Sequence, residues 1–404
     1  MKVALLSFMD DPEAGGGAAR SFRFLAHGLT ERGIDVVLIT THAKKGMQVT
    51  SDKGVTTYRF YPWNLYWVGD KDKQSTIKKT VWQLIDIWNP SVYWRVRRII
   101  TRERPDIVHV HKLRGLSPAV WAAAKHAGCP RIVQTCRDYE LMSPEGTLTT
   151  RVGQWARDGA WLVLPYRKLR ARFSKSVTIA TAPSRYTLEM LTCRGFFPNA
   201  RHSVIPNTHG MTLDELDRRK KDSRKGDRNA VRLLYLGRIE DNKGVDLLCM
   251  AFVRAASRFP ALRLDIAGWG SLEDSLKDKY GDHGRITFHS SAFGERKAQL
   301  LAESVAVVVP SVWPEVFGIV IVEAYASGKP VIATRIGGIP EVVDEHETGL
   351  LIPPNDVEAL ENALCAVADN PASFRSMAQN CFRAARRYAL ESITQSYLDV
   401  YESL

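Results

Sequence analysis

Ten short apolar runs punctuate the chain, and they fall in two series of five. KVALLSF (2–8), DVVLIT (35–40), PDIVHVH (105–111), RIVQT (131–135) and SVTIATAPS (176–184) make the first series. VRLLYLGRI (231–239), LRLDIAG (262–268), RITFHS (285–290), SVAVVVPS (304–311) and KPVIAT (329–334) make the second. The runs are dense in Val, Ile and Leu and scarcely alternate with polar residues, as strands do when helices cover both faces of a parallel sheet. Helix-length segments separate them, so the expected class is α/β with doubly wound, Rossmann-like sheets. A chain of 404 residues exceeds what one core sustains, and a polar stretch, DELDRRKKDSRKGDRNA (214–230), lies between the series. The reading is an N-terminal domain over 1–205, a linker over 206–230, a second domain over 231–385 and a C-terminal helix within 386–404 that packs back on the first domain. Two such sheets would face each other across a cleft at their carboxyl ends, where open α/β sheets bind ligands.

With 45% apolar and 25% charged residues the composition is globular and excludes a largely disordered chain. The start, MKVALLSFMDD, is too short in its apolar part for a signal peptide and reads as a first strand. No apolar stretch approaches the roughly 20 residues that cross a bilayer. The expected location is cytoplasmic, with peripheral contact at the inner face of the cell membrane. Six scattered cysteines, at 129, 136, 193, 249, 365 and 381, form no CxxC pair, so neither a structural zinc nor another metal site is expected.

The net charge of +12 is unevenly spread: residues 1–205 hold 32 Lys and Arg against 16 Asp and Glu, and the remainder holds 24 against 28. A phosphorylated substrate, an anionic membrane, nucleic acid or plain solubility would each suit the basic half. The absence of a nucleic-acid-binding motif and the acidic second half argue against nucleic acid. Two segments, 61–98 and 151–175, combine Trp and Tyr with Arg and Lys, as ordinary helices do or as an interfacial membrane surface does.

GRIEDNKG (237–244) follows a strand and leads into a helix, so Arg238 and Lys243 are either solvated surface cations or groups converging on an anion at the helix N-terminus. Farther on, PEVFGIVIVEA (314–324) holds two glutamates around an apolar run. Its β-branched residues read locally as strand. Pro314 as a helix entrance and Ser327-Gly328 as an exit argue for a buried helix instead. On that helix Glu315 stands at the mouth beside the unpaired amides of Phe317, Gly318 and Ile319, and Glu323 follows about 80° around the axis, so both can address one ligand. In the first half, the GGG turn at 15–17 is no dinucleotide fingerprint, since it lacks GxGxxG spacing and no acid follows the second strand. HVHK is expected to turn His109 and His111 in opposite directions.

These residues resemble the retaining glycosyltransferases of family 4, which have the two-domain GT-B fold. Glu315 and Glu323 match the family's E-x7-E motif, Arg238 and Lys243 its basic motif, and AGWGS and GGIPE (337–341) resemble family segments, as IPN (205–207) resembles its linker. The resemblance implies transfer of a hexose from a UDP- or GDP-sugar to a hydroxyl of a glycan or lipid-linked glycan, with retention and without a metal, in cell-envelope polysaccharide assembly. It implies that Arg238, Lys243 and the amides of Phe317, Gly318 and Ile319 hold the diphosphate. Glu323 would then take the ribose, and Glu315 the sugar hydroxyls. It gives Gly16 and Gly17 to the family's glycine-rich turn and His111 to the histidine near the donor sugar. Asp138 falls where relatives read HDY, but Arg137 replaces the histidine, which leaves an acceptor-side role there open. IPNTHG likewise departs from the usual IPNGVD. Hydrolysis, phosphorolysis or epimerisation in the same nucleotide-sugar cleft is the alternative chemistry, and a basic nucleic-acid-binding protein the alternative class.

Overall fold

The computed structural model describes all residues except 9–15, 53, 145, 147, 149–153, 155–163 and 223–230. Gly15 of the GGG turn, and Trp155 and Trp161 of the segment 151–175, lie outside the described residues. The chain divides into two compact units, Met1–Pro206 with Ile393–Leu404, and Asn207–Ser392.

Among the described residues the first unit holds an eight-stranded sheet in the order β3-β4-β2-β1-β5-β6-β7-β8. Its strands are β1 (Lys2–Leu6), β2 (Asp35–Thr41), β3 (Met47–Asp52), β4 (Val55–Phe60), β5 (Ile107–Val110), β6 (Ile132–Thr135), β7 (Ile179–Ala182) and β8 (Arg201–Val204). All neighbours run parallel except β3, which returns antiparallel along β4. The strand order reverses between β1 and β5, and open α/β sheets generally bind ligands beyond the carboxyl ends of strands at such a reversal. The helix Leu390–Glu402 packs here: Ile393, Tyr397, Leu398 and Tyr401 join the core of β1, β2 and the helix Gly16–Glu31.

The second unit holds a six-stranded parallel sheet, β11-β10-β9-β12-β13-β14. These are β9 (Val231–Leu236), β10 (Leu262–Ala267), β11 (Ile286–His289), β12 (Ala306–Val309), β13 (Val331–Thr334) and β14 (Gly349–Ile352). Successive residues of β9 enter opposite cores, Leu233 and Tyr235 on one face, Leu234 and Leu236 on the other. This is why the run is apolar throughout rather than alternating. The reversal of order lies between β9 and β12.

The domain boundaries differ from those expected. Much of the stretch read as linker is a helix, Leu213–Asp222, whose Leu216 is buried in the second unit's core. The second unit extends to Ser392 rather than 385. The apolar run after Pro314 does form a helix, but only over Ile319–Tyr325. Its side chains Ile321, Val322, Ala324 and Tyr325 are fully buried, and this burial outweighs the strand preference of Val and Ile. The helix starts late because Gly318 adopts φ 87°, a left-handed conformation. It ends as expected, with Gly328 at φ 66° and the Lys329 amide donating to Ala324 O at 2.9 Å.

Candidate active site

In the second unit the two strands at the reversal carry the motif residues on the loops that follow them. After β9 the chain runs through Arg238 to a short turn, Asp241–Lys243, and enters the helix Val245–Arg258 at Gly244. After β12 it runs through Ser311 and Trp313 to Glu315. The loops are laced together: the Val312 amide donates to Asn242 O at 3.1 Å, and a Cβ on Gly244 would lie 2.0 Å from Pro310 O. The loop after β10 presses on the first of them. Cβ atoms on Gly268 and Gly270 would strike the carbonyls of Gly237 and Ile239 at 1.8 and 2.2 Å, which explains the glycines of AGWGS.

Lys243 Nζ donates to Glu315 Oε1 at 2.6 Å, and Ser311 Oγ donates to the same oxygen at 2.6 Å. The ammonium also sits 5.1 Å from the centre of the Trp313 ring. Burial pushes the Glu315 carboxyl upward, but the Lys243 charge and the hydrogen bonds to Lys243 and Ser311 outweigh it and hold the group below its ordinary value. Glu323 has a different cation: Lys297 Nζ lies 2.6 Å from its Oε2. Arg238 is half exposed and pairs with Glu240 at 2.8 Å. In this structure Arg238 and Lys243 take separate carboxylates, Glu240 and Glu315.

The helix that carries Glu323 does not carry Glu315, which stands in the loop before it. Glu315 lies four residues before the first helical residue, so an angle around the axis does not describe it. What holds Glu315 is the next loop: the Gly338 amide donates to Glu315 O at 2.7 Å, and Gly337, at φ 61°, lets the backbones touch. A Cβ on Gly337 would meet Glu315 O at 2.3 Å. Gly337→Ala should therefore displace Glu315, with a stability loss of about 1–3 kcal/mol and a larger fall in kcat than in a Gly284→Ala control, which carries the same positive-φ strain at an open position. Urea unfolding and steady-state kinetics measure both. The amides of Phe317, Gly318 and Ile319 precede the first turn and have no acceptor within the helix.

In the first unit, Gly16 at φ 63° and Gly17 open the helix Gly16–Glu31 after β1. His111 follows β5, so these residues flank that sheet's reversal. His109 and His111 do not face opposite ways. Their ring centroids are 4.0 Å apart, as residues two apart on a strand require, since alternation returns i and i+2 to one face. His109 is held by two hydroxyls, Tyr401 at Nδ1 and Thr135 at Nε2, both at 2.6 Å. Arg137 Nε donates to His111 Nδ1 at 3.0 Å. Burial, then the neighbouring His109 and Arg137, hold His111 well below its ordinary pKa, so it is a neutral imidazole with its proton on Nε2. Asp138 pairs with Lys112 at 3.0 Å and accepts from the Glu140 amide at 2.9 Å.

Lys297, Arg137 and Tyr401 contact candidate residues or their neighbours without having been singled out for that role. Only Arg137 carried a sequence signal, as the replacement for the family's histidine. Lys297 lies on an exposed-looking helix, and Tyr401 is 292 residues from His109.

A family described as "Glycosyl transferase 4-like domain" matches residues 16–208, and one described as "Glycosyl transferases group 1" matches 230–370. An uncharacterized 42.6 kDa protein in the cps region of Klebsiella pneumoniae is 28% identical over 346 residues, spanning 85% of this chain and 87% of its own. Glycogen synthase of Mycobacterium tuberculosis is 32% identical over 289 residues, 70% of this chain and 64% of that protein. Anabaena HepE, solved with UDP, superposes with a TM-score of 0.69 over 100% of both chains at 19% identity, a likeness of fold. With two parallel-sheet units, motif loops at both sheet reversals and family matches over both halves, this chain is a GT-B protein and belongs to glycosyltransferase family 4.

Proposed function

We propose that the chain is a retaining hexosyltransferase. It takes a hexose from a UDP- or GDP-sugar and gives it to a hydroxyl of a glycan or lipid-linked glycan, at the cytoplasmic side of the envelope, in polysaccharide biosynthesis. The observation that carries this reading is the Lys243–Glu315 pair, built on the two loops that flank the reversal of the second sheet. Solved complexes of HepE with UDP and with UDP-glucose support the donor, and the relative in a cps region supports the pathway class.

An ammonium has three donors, of which Glu315 takes one here. The others suit diphosphate oxygens, with Arg238 and the amides of Phe317, Gly318 and Ile319 completing the cradle. Positive charge and N–H groups held there stabilise the negative charge that grows on the leaving diphosphate, so no metal is needed. Glu315 accepts from sugar hydroxyls and Glu323 from ribose hydroxyls. Gly16, Gly17 and His111 are assigned to the donor and sugar side, and Asp138 to the acceptor. The acceptor attacks from the face that the diphosphate leaves, and the diphosphate takes its proton.

A panel of nucleotide sugars tested by thermal unfolding checks the donor. At 100 times its Kd the correct one should stabilise by about 2.7 kcal/mol. Glu323→Ala should weaken that binding by roughly tenfold or more, as loss of a hydrogen bond to a charged group does. No stabilisation by any member would refute the donor assignment. Sugar release from donor alone, at the rate seen with acceptor, would point to hydrolysis instead.

A further inference from the structure

Of the large apolar side chains more than a third exposed among the described residues, most come from one short part of the chain: Met47, Val49, Trp63, Leu65, Ile77, Val81, Leu84 and Trp94. The helix Thr76–Ile87 explains part of this. Its inner face is held by Trp82, which stacks on Tyr66 with centroids 5.7 Å apart and donates from Nε1 to Tyr66 O at 2.9 Å. On the outer face Ile77 is 78% exposed, Val81 40% and Leu84 63%. At 100° per residue the three span about 60° of the axis, so they form one unpartnered stripe. Lys78 and Lys79 lie on the same helix.

Next to it, the loop bearing Trp63 and the helix Pro90–Glu103 enclose a hollow of about 500 Å³, lined by Met47, Trp63, Ser91, Trp94, Arg95 and Arg98. Asn64 ties this loop to the first helix by donating to Trp82 O at 3.2 Å. Asn89 ties it to the second by donating to Trp63 O at 3.1 Å. The helix bearing the stripe and the helix lining the hollow are thus tied to the same loop. Segment 61–98 carries seven Lys and Arg against three Asp, and one of those, Asp86, is buried.

We propose that this face seats on an anionic phospholipid surface, with Ile77 and Leu84 entering the acyl boundary and Arg95 and Arg98 meeting lipid phosphates between Trp63 and Trp94. The chemistry selects this occupant. An apolar stripe flanked by cations lies in the plane of a bilayer interface. Tryptophan prefers headgroup depth, and each Lys or Arg near an anionic leaflet adds attraction. Nucleic acid would leave the aliphatic stripe unused, and a second copy docking through the same patch would set cation against cation. No helix among the described residues is long and apolar enough to cross a membrane, so the contact is peripheral. The proposal adds a partner to the transferase reading, and lipid binding is measured without donor or acceptor, so either can fail alone.

The test is co-sedimentation of the full chain with vesicles of phosphatidylcholine alone or mixed with phosphatidylglycerol, at low and high salt. The wild type should bind the mixed vesicles, less at high salt, and bind pure phosphatidylcholine at least about tenfold more weakly. Ile77→Glu with Leu84→Glu, and separately Arg95→Glu with Arg98→Glu, should each lower that binding by about tenfold or more. The melting temperature of the Ile77 and Leu84 variant should stay unchanged, since both side chains are exposed, and so should the turnover of a soluble acceptor by both double variants, since none of the four residues belongs to the proposed transferase site. Undiminished binding by both double variants, or no binding of wild type to mixed vesicles, overturns the proposal. A concentration-dependent dimer that the variants abolish also overturns it, in favour of self-association.

Discussion

Lys243→Met is expected to lower kcat by about a hundredfold to a thousandfold, the usual effect of removing one group aimed at charge developing in the transition state. The same change leaves Glu315 without its cation in a mostly buried position, which costs about 3 kcal/mol of folding stability. The two effects separate in the double variant Lys243→Met with Glu315→Gln. A neutral amide needs no counter-ion, so stability should largely return, whereas the rate should not. Steady-state kinetics with the nucleotide sugar, together with urea unfolding, measures both. Recovery of the rate in the double variant would show that Lys243 serves only to neutralise Glu315. The pH dependence has a definite sign. The folded-state pKa of Glu315 lies below its ordinary 4.5, so the pair's stabilisation is present above that value and is lost as pH falls through the folded-state pKa.

The second large effect is expected at Arg170, a fully buried arginine in the first unit. Its guanidinium lies 3.2 Å from Asp86 Oδ2 and donates to Glu140 O at 3.0 Å. The side-chain carboxylates of Asp86 and Glu140 in turn grip the loop after β5. Glu140 accepts from the Leu113 and Arg114 amides at 2.6 and 3.0 Å, and Asp86 from the Gly115 amide at 3.0 Å. Arg170→Met should cost about 3–5 kcal/mol, the penalty for stranding buried charge. Burial raises Asp86 and Glu140 to about 7 from ordinary values of 3.8 and 4.5. The folded state therefore binds more protons than the unfolded state between about 4 and 7, and these groups' contribution to stability falls as pH rises through that window. Without Arg170 both carboxylates should ionise at still higher pH. The variant should then lie nearest the wild type at pH 5 and farthest at pH 9 in urea unfolding of the full chain. A penalty independent of pH would mean that the cluster does not titrate with folding.

Most of the strands that were legible have two buried faces, and the edge strand β11 was legible through Ile286 and Phe288. β3 was not, because all six residues of MQVTSD are exposed and carry no apolar signal. β4, β8 and β14 escaped for a related reason. They lie toward the sheet edges, with partly exposed residues. The helix Leu213–Asp222 was hidden by its own charge: within LDELDRRKKD, Leu216 is the side chain that reaches the core. In the site, both glutamates, Arg238 and Lys243 stood out by spacing and by family resemblance. Their partners did not, since the Lys243–Glu315 pair spans 72 residues and depends on two loops made adjacent by the order of β9 and β12.

Apolar periodicity, punctuation by Gly and Pro, and the motif residues by themselves determined that this chain builds two parallel sheets and carries glycosyltransferase signatures. Those signals are local: a strand buried on both faces must be apolar wherever it sits, and a loop that touches another backbone must have glycine. Which cation neutralises which carboxylate, that His111 is neutral beside Arg137, and that the last helix lends Tyr401 to His109 were decided only by tertiary structure. Charges and hydrogen bonds act over a few ångströms of space, and the chain brings those ångströms together from positions that spacing along the sequence does not relate.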